Sequence, residues 1–204
     1  MTAPAVGKIP HNYSPHSFEK KILGWWSDCR IYEKVKQRLH GRDKFYFLDG
    51  PPYVTNPPHV GTAWNKILKD AILRYHRLKG RHIIERAGYD MHGLPIEVKV
   101  EHRPGFSSKQ EIEGFGIEAF IEECRRFALE NKDLMSDQFR ALGVWLDFDN
   151  PYVTIDPGYI EAAWWNLARA EEEGTLERTG GRPGRGRVER RGGKGGGEGE
   201  GEGE

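Results

Sequence analysis

The sequence predicts an α/β fold organised around a parallel sheet, and three observations carry that prediction. "KFYFLDG", Lys44 to Gly50, and "RHIIERAG", Arg81 to Gly88, are short apolar runs bounded by turn residues, the pattern of buried strands. Between them Trp64, Leu68, Ala71, Tyr75 and Leu78 recur at steps of four and three up to Gly80, which makes one helix face apolar. Strand, turn, helix and strand within so short a stretch form a βαβ unit, whose crossover is almost always right-handed and whose strands are parallel.

Upstream of that unit, Ser17 precedes a helical pattern in which Phe18, Ile22, Trp26, Cys29 and Leu39 recur, with Gly41 as its stop. Downstream the chain reads as mainly helical. Ser108 with Glu111 three residues on is a capping box. Ile117, Phe120, Ile121, Cys124 and Ala128 form an apolar stripe that continues toward Leu134, Phe139 and Leu142. Asp156 followed by Pro157 is a helix start of the N-cap and N1 kind, leading into "YIEAAWWNLARAEEEGTL", where Trp164 and Trp165 are expected in the core.

Composition changes abruptly near Thr179. From Gly180 the chain is dominated by glycine, arginine and glutamate with almost no apolar residue, so this segment buries too little to offset its ordering entropy and is expected to be disordered. The expected organisation is an N-terminal arm and helix over residues 1–40, a main α/β domain over 41–178 and a Gly-rich tail over 179–204.

Charge excludes little. Lys plus Arg number 31 and Asp plus Glu number 31, so any contact with nucleic acid must come from a local patch rather than from the net field. The two cysteines, Cys29 and Cys124, lie far apart in helix-like runs, which fits reduced thiols rather than a disulfide framework and offers no metal set. No signal-peptide core and no apolar run of membrane-spanning length occurs, and the chain reads as cytoplasmic with no membrane partner.

The stretch "LDGPPYVTNPPHVGTAWNK", Leu48 to Lys66, joins the first strand to the helix and concentrates the candidate chemistry. Such a turn lies at the carboxyl edge of a parallel sheet, where open α/β folds bind ligands. The free N–H groups and dipole of the helix N-terminus there favour phosphate. Gly61 allows close approach to the backbone, His59 and Thr62 can donate hydrogen bonds, and Pro51, Pro52, Pro57 and Pro58 fix the path. After the second strand, "AGYDMHGLPIEVKVE" places Asp90 on a turn near the same edge, where a carboxylate can hold an ammonium group.

"FLDGPPYVTNPPHVGTAWNKILKD", "GYDMHGLPIEVKVE", "SSKQEIEGFGIEAFIEECR" and "YIEAAWWNLARAEEEGTL", in that order, resemble the class I aminoacyl-tRNA synthetases. His59, Val60, Gly61 and Thr62 stand where that family has its His-Ile-Gly-His motif, and the Asp90 to Glu97 segment resembles the isoleucine enzymes more than their valine and leucine relatives. The resemblance covers residues 17–178 and implies the first half of a Rossmann-like catalytic domain.

It implies activation of isoleucine by ATP, with Mg²⁺ as the nucleotide's counter-ion, and transfer to tRNA(Ile), in an enzyme that is monomeric in the full-length family. By position, His59 and Thr62 carry the catalytic role, His59, Gly61 and Thr62 contact ATP, Pro51 faces the isoleucine side chain and Asp90 binds its amino group, with no metal ligand implied. Thr62 replaces the motif's last histidine, and Tyr89 and Met91 depart from the family's usual residues. The family's second ATP motif, Lys-Met-Ser-Lys-Ser, does not occur in the 204 residues, so this chain by itself is expected to be inactive, with a frameshift as the expected origin of the tail. The competing expectation is a non-catalytic fragment or accessory protein that binds nucleotide or RNA.

Overall fold

The computed structural model describes residues 14–102, 106 and 108–176. The predicted Gly-rich tail and the arm before residue 14 lie outside the described residues. Two compact units are separated at Trp164 and Trp165, and the architecture is that of the first unless stated.

The expected N-terminal helix is two. α1, Pro15–Asp28, starts after Ser14 rather than Ser17, and α2, Ile31–Leu39, follows a break at Arg30, which sits in the left-handed region at φ 49°. That conformation is costly for a residue with a Cβ. The bend brings Trp26 of α1 and Tyr32 of α2 onto the same partner, Trp145, at ring-centroid distances of 5.1 and 5.8 Å.

The βαβ unit is present. β1, Lys44–Leu48, pairs in parallel with β2, His82–Arg86, in the register Phe45 to Ile83 and Phe47 to Glu85, and α3, Val60–Leu78, connects them. β1 is not fully buried as its apolar run suggested. Phe45 and Phe47 pack against the core, while Tyr46 and Leu48, at 68% and 81% exposure, leave an open apolar face.

α3 presents the reverse of its expected faces. Trp64, Leu68, Tyr75 and Leu78 are exposed, and the buried positions are Lys66, Asp70, Leu73 and Arg77. The three ionic residues are tolerated inside because each meets a partner. Lys66 donates to Asp49, Asp70 accepts from Arg74 and from the Trp145 N–H, and Arg77 donates to Glu85.

Beyond β2 the chain forms β3, Gly88–Tyr89, α4, Leu94–Glu101, α5, Lys109–Phe115, and α6, Ile117–Ala141. β4, Tyr152–Val153, pairs in parallel with β3. The predicted cap of α5 is present, with Ser108 Oγ accepting from the Glu111 N–H at 3.3 Å. On α6, Phe120, Cys124, Ala128 and Phe139 face the core as expected, whereas Ile117, Ile121, Leu134 and the C-cap Leu142 are exposed and Phe127 and Met135 take the inner positions.

α7, Pro157–Glu172, begins at the predicted cap, where Asp156 Oδ1 accepts from the N–H groups of Gly158 and Tyr159. The expectation that Trp164 and Trp165 are core fails. They are 67% and 62% exposed on a helix with no buried residue, because its apolar positions spread around the circumference instead of forming one stripe. Both cysteines are free thiols, and burial pushes Cys124 up to about 11, which keeps it protonated and unreactive. Among the described residues no helix is long and apolar enough to cross a membrane.

Candidate active site at the carboxyl ends of the strands

Just past β1 stands Asp49, whose side chain is completely buried and acts as an anchor for the turn that follows. Lys66 and Lys69, one helical turn apart on α3, both donate to this carboxylate, Lys69 at 2.9 Å, and the Gly88 N–H adds a third hydrogen bond at 3.2 Å. Tyr152 donates its hydroxyl to the Asp49 carbonyl. The end of β1, the first turns of α3, the start of β3 and β4 are thus tied to one residue. Gly88 is required in this arrangement, since a Cβ there would overlap the Tyr152 ring.

From this anchor the proline turn runs alongside the 89–91 segment. The Asp90 N–H donates to the Pro52 carbonyl at 2.9 Å and the Val54 N–H to the Asp90 carbonyl at 3.3 Å, so Tyr53 and Asp90 form a parallel bridge. Sequence reasoning placed Pro51 and Asp90 at one sheet edge, and the structure brings the proline segment and Asp90 together through the backbone. The Asp90 side chain is half-buried. Thr154, just past β4, donates to Asp90 Oδ1 at 3.4 Å while its Oγ1 accepts from the Met91 N–H at 2.9 Å. The Asp90 charge and hydrogen bond push the Tyr53 hydroxyl above its ordinary range.

Pro51 also lines a cavity of about 590 Å³ at the strand ends, with Leu48, Gly50, Tyr152 and Tyr159. Its walls are mostly apolar or aromatic, the kind of lining that accepts an aliphatic side chain.

His59, Gly61 and Thr62 meet at the start of α3. His59 is the helix N-cap, in extended conformation, and its Nδ1 accepts from the N–H groups of Gly61 at 3.0 Å and Thr62 at 3.4 Å. Two consequences revise the expectation of a cradle of free N–H groups. Those two backbone donors are already used, and Gly61 is needed first by the imidazole, because a Cβ there would lie 2.9 Å from His59 Cε1. An Nδ1 that accepts leaves the neutral ring's proton on Nε2. The exposed ring therefore offers Nε2–H to solvent or ligand at the positive end of the helix dipole, with the half-buried Thr62 beside it.

Asp49, Lys66, Tyr152 and Thr154 were not singled out from sequence. Lys66 lies within the helical pattern, where a lysine reads as surface, and its partner Asp49 is seventeen positions earlier. A signal did exist in "LDG", an acidic residue closing an apolar run just before a turn.

With this geometry, comparisons with known proteins become specific. The family described as tRNA synthetases class I (I, L, M and V) matches residues 21–182. Isoleucine–tRNA ligase of Methanoregula boonei is 57% identical over 171 residues, covering 84% of this chain and 16% of that protein. The corresponding ligases of Methanoculleus marisnigri and Haloquadratum walsbyi are 57% and 50% identical over 171 and 173 residues. The chain thus spans about one sixth of the length of these curated relatives, 16% in each case. Among solved structures, the LeuRS of Agrobacterium radiobacter K84, crystallised as a ternary complex with tRNA and LeuAMS, superposes with a TM-score of 0.56 at 22% identity over 80% of this chain and 18% of that one. That likeness bears on the fold.

Proposed function

Since the chain belongs to the class I tRNA synthetase family of the isoleucine, leucine, methionine and valine group, we propose that it is the N-terminal catalytic portion of an isoleucine–tRNA ligase. We assign that portion to residues 41–178, as the first half of a Rossmann-like domain. The whole protein would activate isoleucine with ATP and pass it to tRNA(Ile), working as a monomer in the cytoplasm. The observation that supports this reading best is the parallel bridge between Tyr53 and Asp90, which sets a carboxylate beside the proline turn at the carboxyl end of β1.

In the proposed assignment the isoleucine ammonium group pairs with Asp90, steadied by Thr154, and the side chain enters the cavity beside Pro51. ATP lies over the start of α3, its phosphates drawn by the helix dipole, the Nε2–H of His59 and the Thr62 hydroxyl, with Gly61 keeping the approach open. Mg²⁺ arrives with the nucleotide as its counter-ion. The isoleucine carboxylate is itself the nucleophile. A carboxylate oxygen forms a bond to the α-phosphorus, the bond from that phosphorus to the bridging oxygen breaks, and the electron pair leaves with pyrophosphate. No general base is needed, so this chain's residues contribute position and charge complementarity.

The test is a chimera in which residues 14–176 replace the matching part of the Methanoregula boonei ligase. Isoleucine-dependent exchange of pyrophosphate into ATP is the expected result. A folded chimera that exchanges with valine or leucine in preference to isoleucine, or with none of them, would refute the assignment.

A further inference from the structure

The amino ends of β1 and β2, opposite the proline turn, border a second concavity of about 1120 Å³. Its apolar lining comes from Val35, Leu39, Leu78 and Trp145. Its walls carry five cationic side chains, Arg38, Arg42, Arg74, Arg77 and Lys79, against the single carboxylate of Asp43.

The cations divide into two sets. Arg74 and Arg77 are fixed: Arg74 Nε donates to Asp70 Oδ2 at 2.6 Å, Arg74 Cζ lies 4.1 Å from the Trp145 ring centroid, and Arg77 donates to Glu85 Oε1 at 2.7 Å. Arg38, Arg42 and Lys79 have no ion pair among the described residues. Arg77 belongs to the interior rather than to the rim. Its side chain is only 5% exposed, and although one guanidinium nitrogen pairs with Glu85, the other, Nη1, has no hydrogen-bond partner. Glu85 Oε2 is likewise buried without a partner, so the unmatched donor and acceptor belong to one ion pair that is closed to solvent.

Counting Asp43, Asp70 and Glu85 against the five cations, the surroundings retain a positive excess. The C-terminal ends of α2 and α3 also border the cavity, and their partial negative charge offsets part of it. Cations serving only those helix ends would need no preformed concavity.

We propose that this cavity binds a multiply charged phosphate-type anion, held by Arg38, Arg42 and Lys79. Free polyphosphate and the backbone of a single-stranded nucleic acid share this chemistry. The site is separate from the proline turn and does not depend on the function proposed for it.

The experiment is calorimetric titration of the full chain with inorganic tripolyphosphate in one arm and a short single-stranded RNA oligonucleotide in the other. The arginines from Arg182 to Arg191 can attract polyanions on their own, so a variant with Arg185, Arg187 and Arg190 changed to glutamine is titrated in parallel. The expected result is a loss of at least about tenfold in affinity, in one arm or both, on Arg38→Gln with Arg42→Gln. Lys79→Gln should also weaken binding, while the tail variant retains it. Because Arg38 and Arg42 are exposed, their double variant is expected to fold. Binding confined to the oligonucleotide arm identifies a nucleic-acid backbone as the ligand, and binding in the tripolyphosphate arm identifies the free anion. No binding in either arm, or affinity that follows the tail arginines and ignores the cavity variants, overturns the proposal.

Discussion

The Lys66 ammonium group donates to the Asp49 carboxylate in a pair whose side chains are 1% and 0% exposed, and this pair sets where the proline turn leaves the sheet. Removing one partner of such a pair leaves an uncompensated buried charge. Asp49→Asn is therefore expected to lower stability by about 3–5 kcal/mol, whereas Asp49→Asn combined with Lys66→Met should cost less than Asp49→Asn alone. Denaturant unfolding of Asp49→Asn, Lys66→Met and the double variant measures this. A double variant at least as unstable as the sum of the singles would show that the charge pair is not the source of the effect.

The same pair and Tyr89 make opposite contributions in alkali. Burial, partly offset by Asp49, lowers Lys66 below its ordinary value of 10.5, so the unfolded chain binds the proton more tightly and stability contributed by this group rises with pH just below 10.5. Burial instead pushes Tyr89, whose hydroxyl shares a 2.6 Å hydrogen bond with Ser136, from 10.0 up to about 12. Its contribution is complete below 10 and is lost as pH rises toward 12, on the order of 2–3 kcal/mol. Tyr32 and Tyr152 are also raised by burial, so unfolding free energies followed from pH 8 to 12 should show a smaller falling component in Tyr89→Phe and lose the Lys66 rise in Lys66→Met. An unchanged alkaline profile in Tyr89→Phe would count against this account.

His59 has a structural duty that can be separated from its proposed chemistry. His59→Ala removes the acceptor for the Gly61 and Thr62 N–H groups and should cost about 1 kcal/mol. Asparagine is a good N-cap, so His59→Asn should recover most of that stability. It offers no Nε2–H, and in the chimeric ligase its exchange activity should fall by at least about tenfold. Full activity in His59→Asn would reduce the imidazole to a helix cap.

Local pattern made the architecture legible and left much of the packing hidden. Strands β1 and β2, helix α3 and the caps at Ser108 and Asp156 follow from turn residues, apolar runs and capping chemistry that act over a few positions. The orientation of α3 does not, because periodicity identifies a face without saying where it points. Lys66, Asp70 and Arg77 turn inward only because Asp49, the Trp145 N–H and Glu85 wait there, and those partners lie 17, 75 and 8 positions away. The site divided in the same way. Pro51, His59, Gly61 and Asp90 stand in recognisable motifs, while Thr154 reaches Asp90 from 64 positions along the chain, a distance no local signal spans.

Thr154 offers the sharpest test of the amino-group site. It is 3% exposed and links the Met91 N–H to the Asp90 carboxylate, so it fixes both the backbone and the side chain around the proposed ammonium position. Thr154→Val keeps the shape but leaves the Met91 N–H without its acceptor, which should cost about 1–3 kcal/mol. In the chimeric ligase Asp90 would lose its steadying hydroxyl, and the KM for isoleucine should rise several-fold with the KM for ATP unchanged, since the nucleotide is assigned to the start of α3. Thr154→Ser restores the hydroxyl and should return both stability and KM toward the parent values. A purely structural threonine would lower stability without separating the two KM values, and that result would remove Thr154 from the amino-acid site.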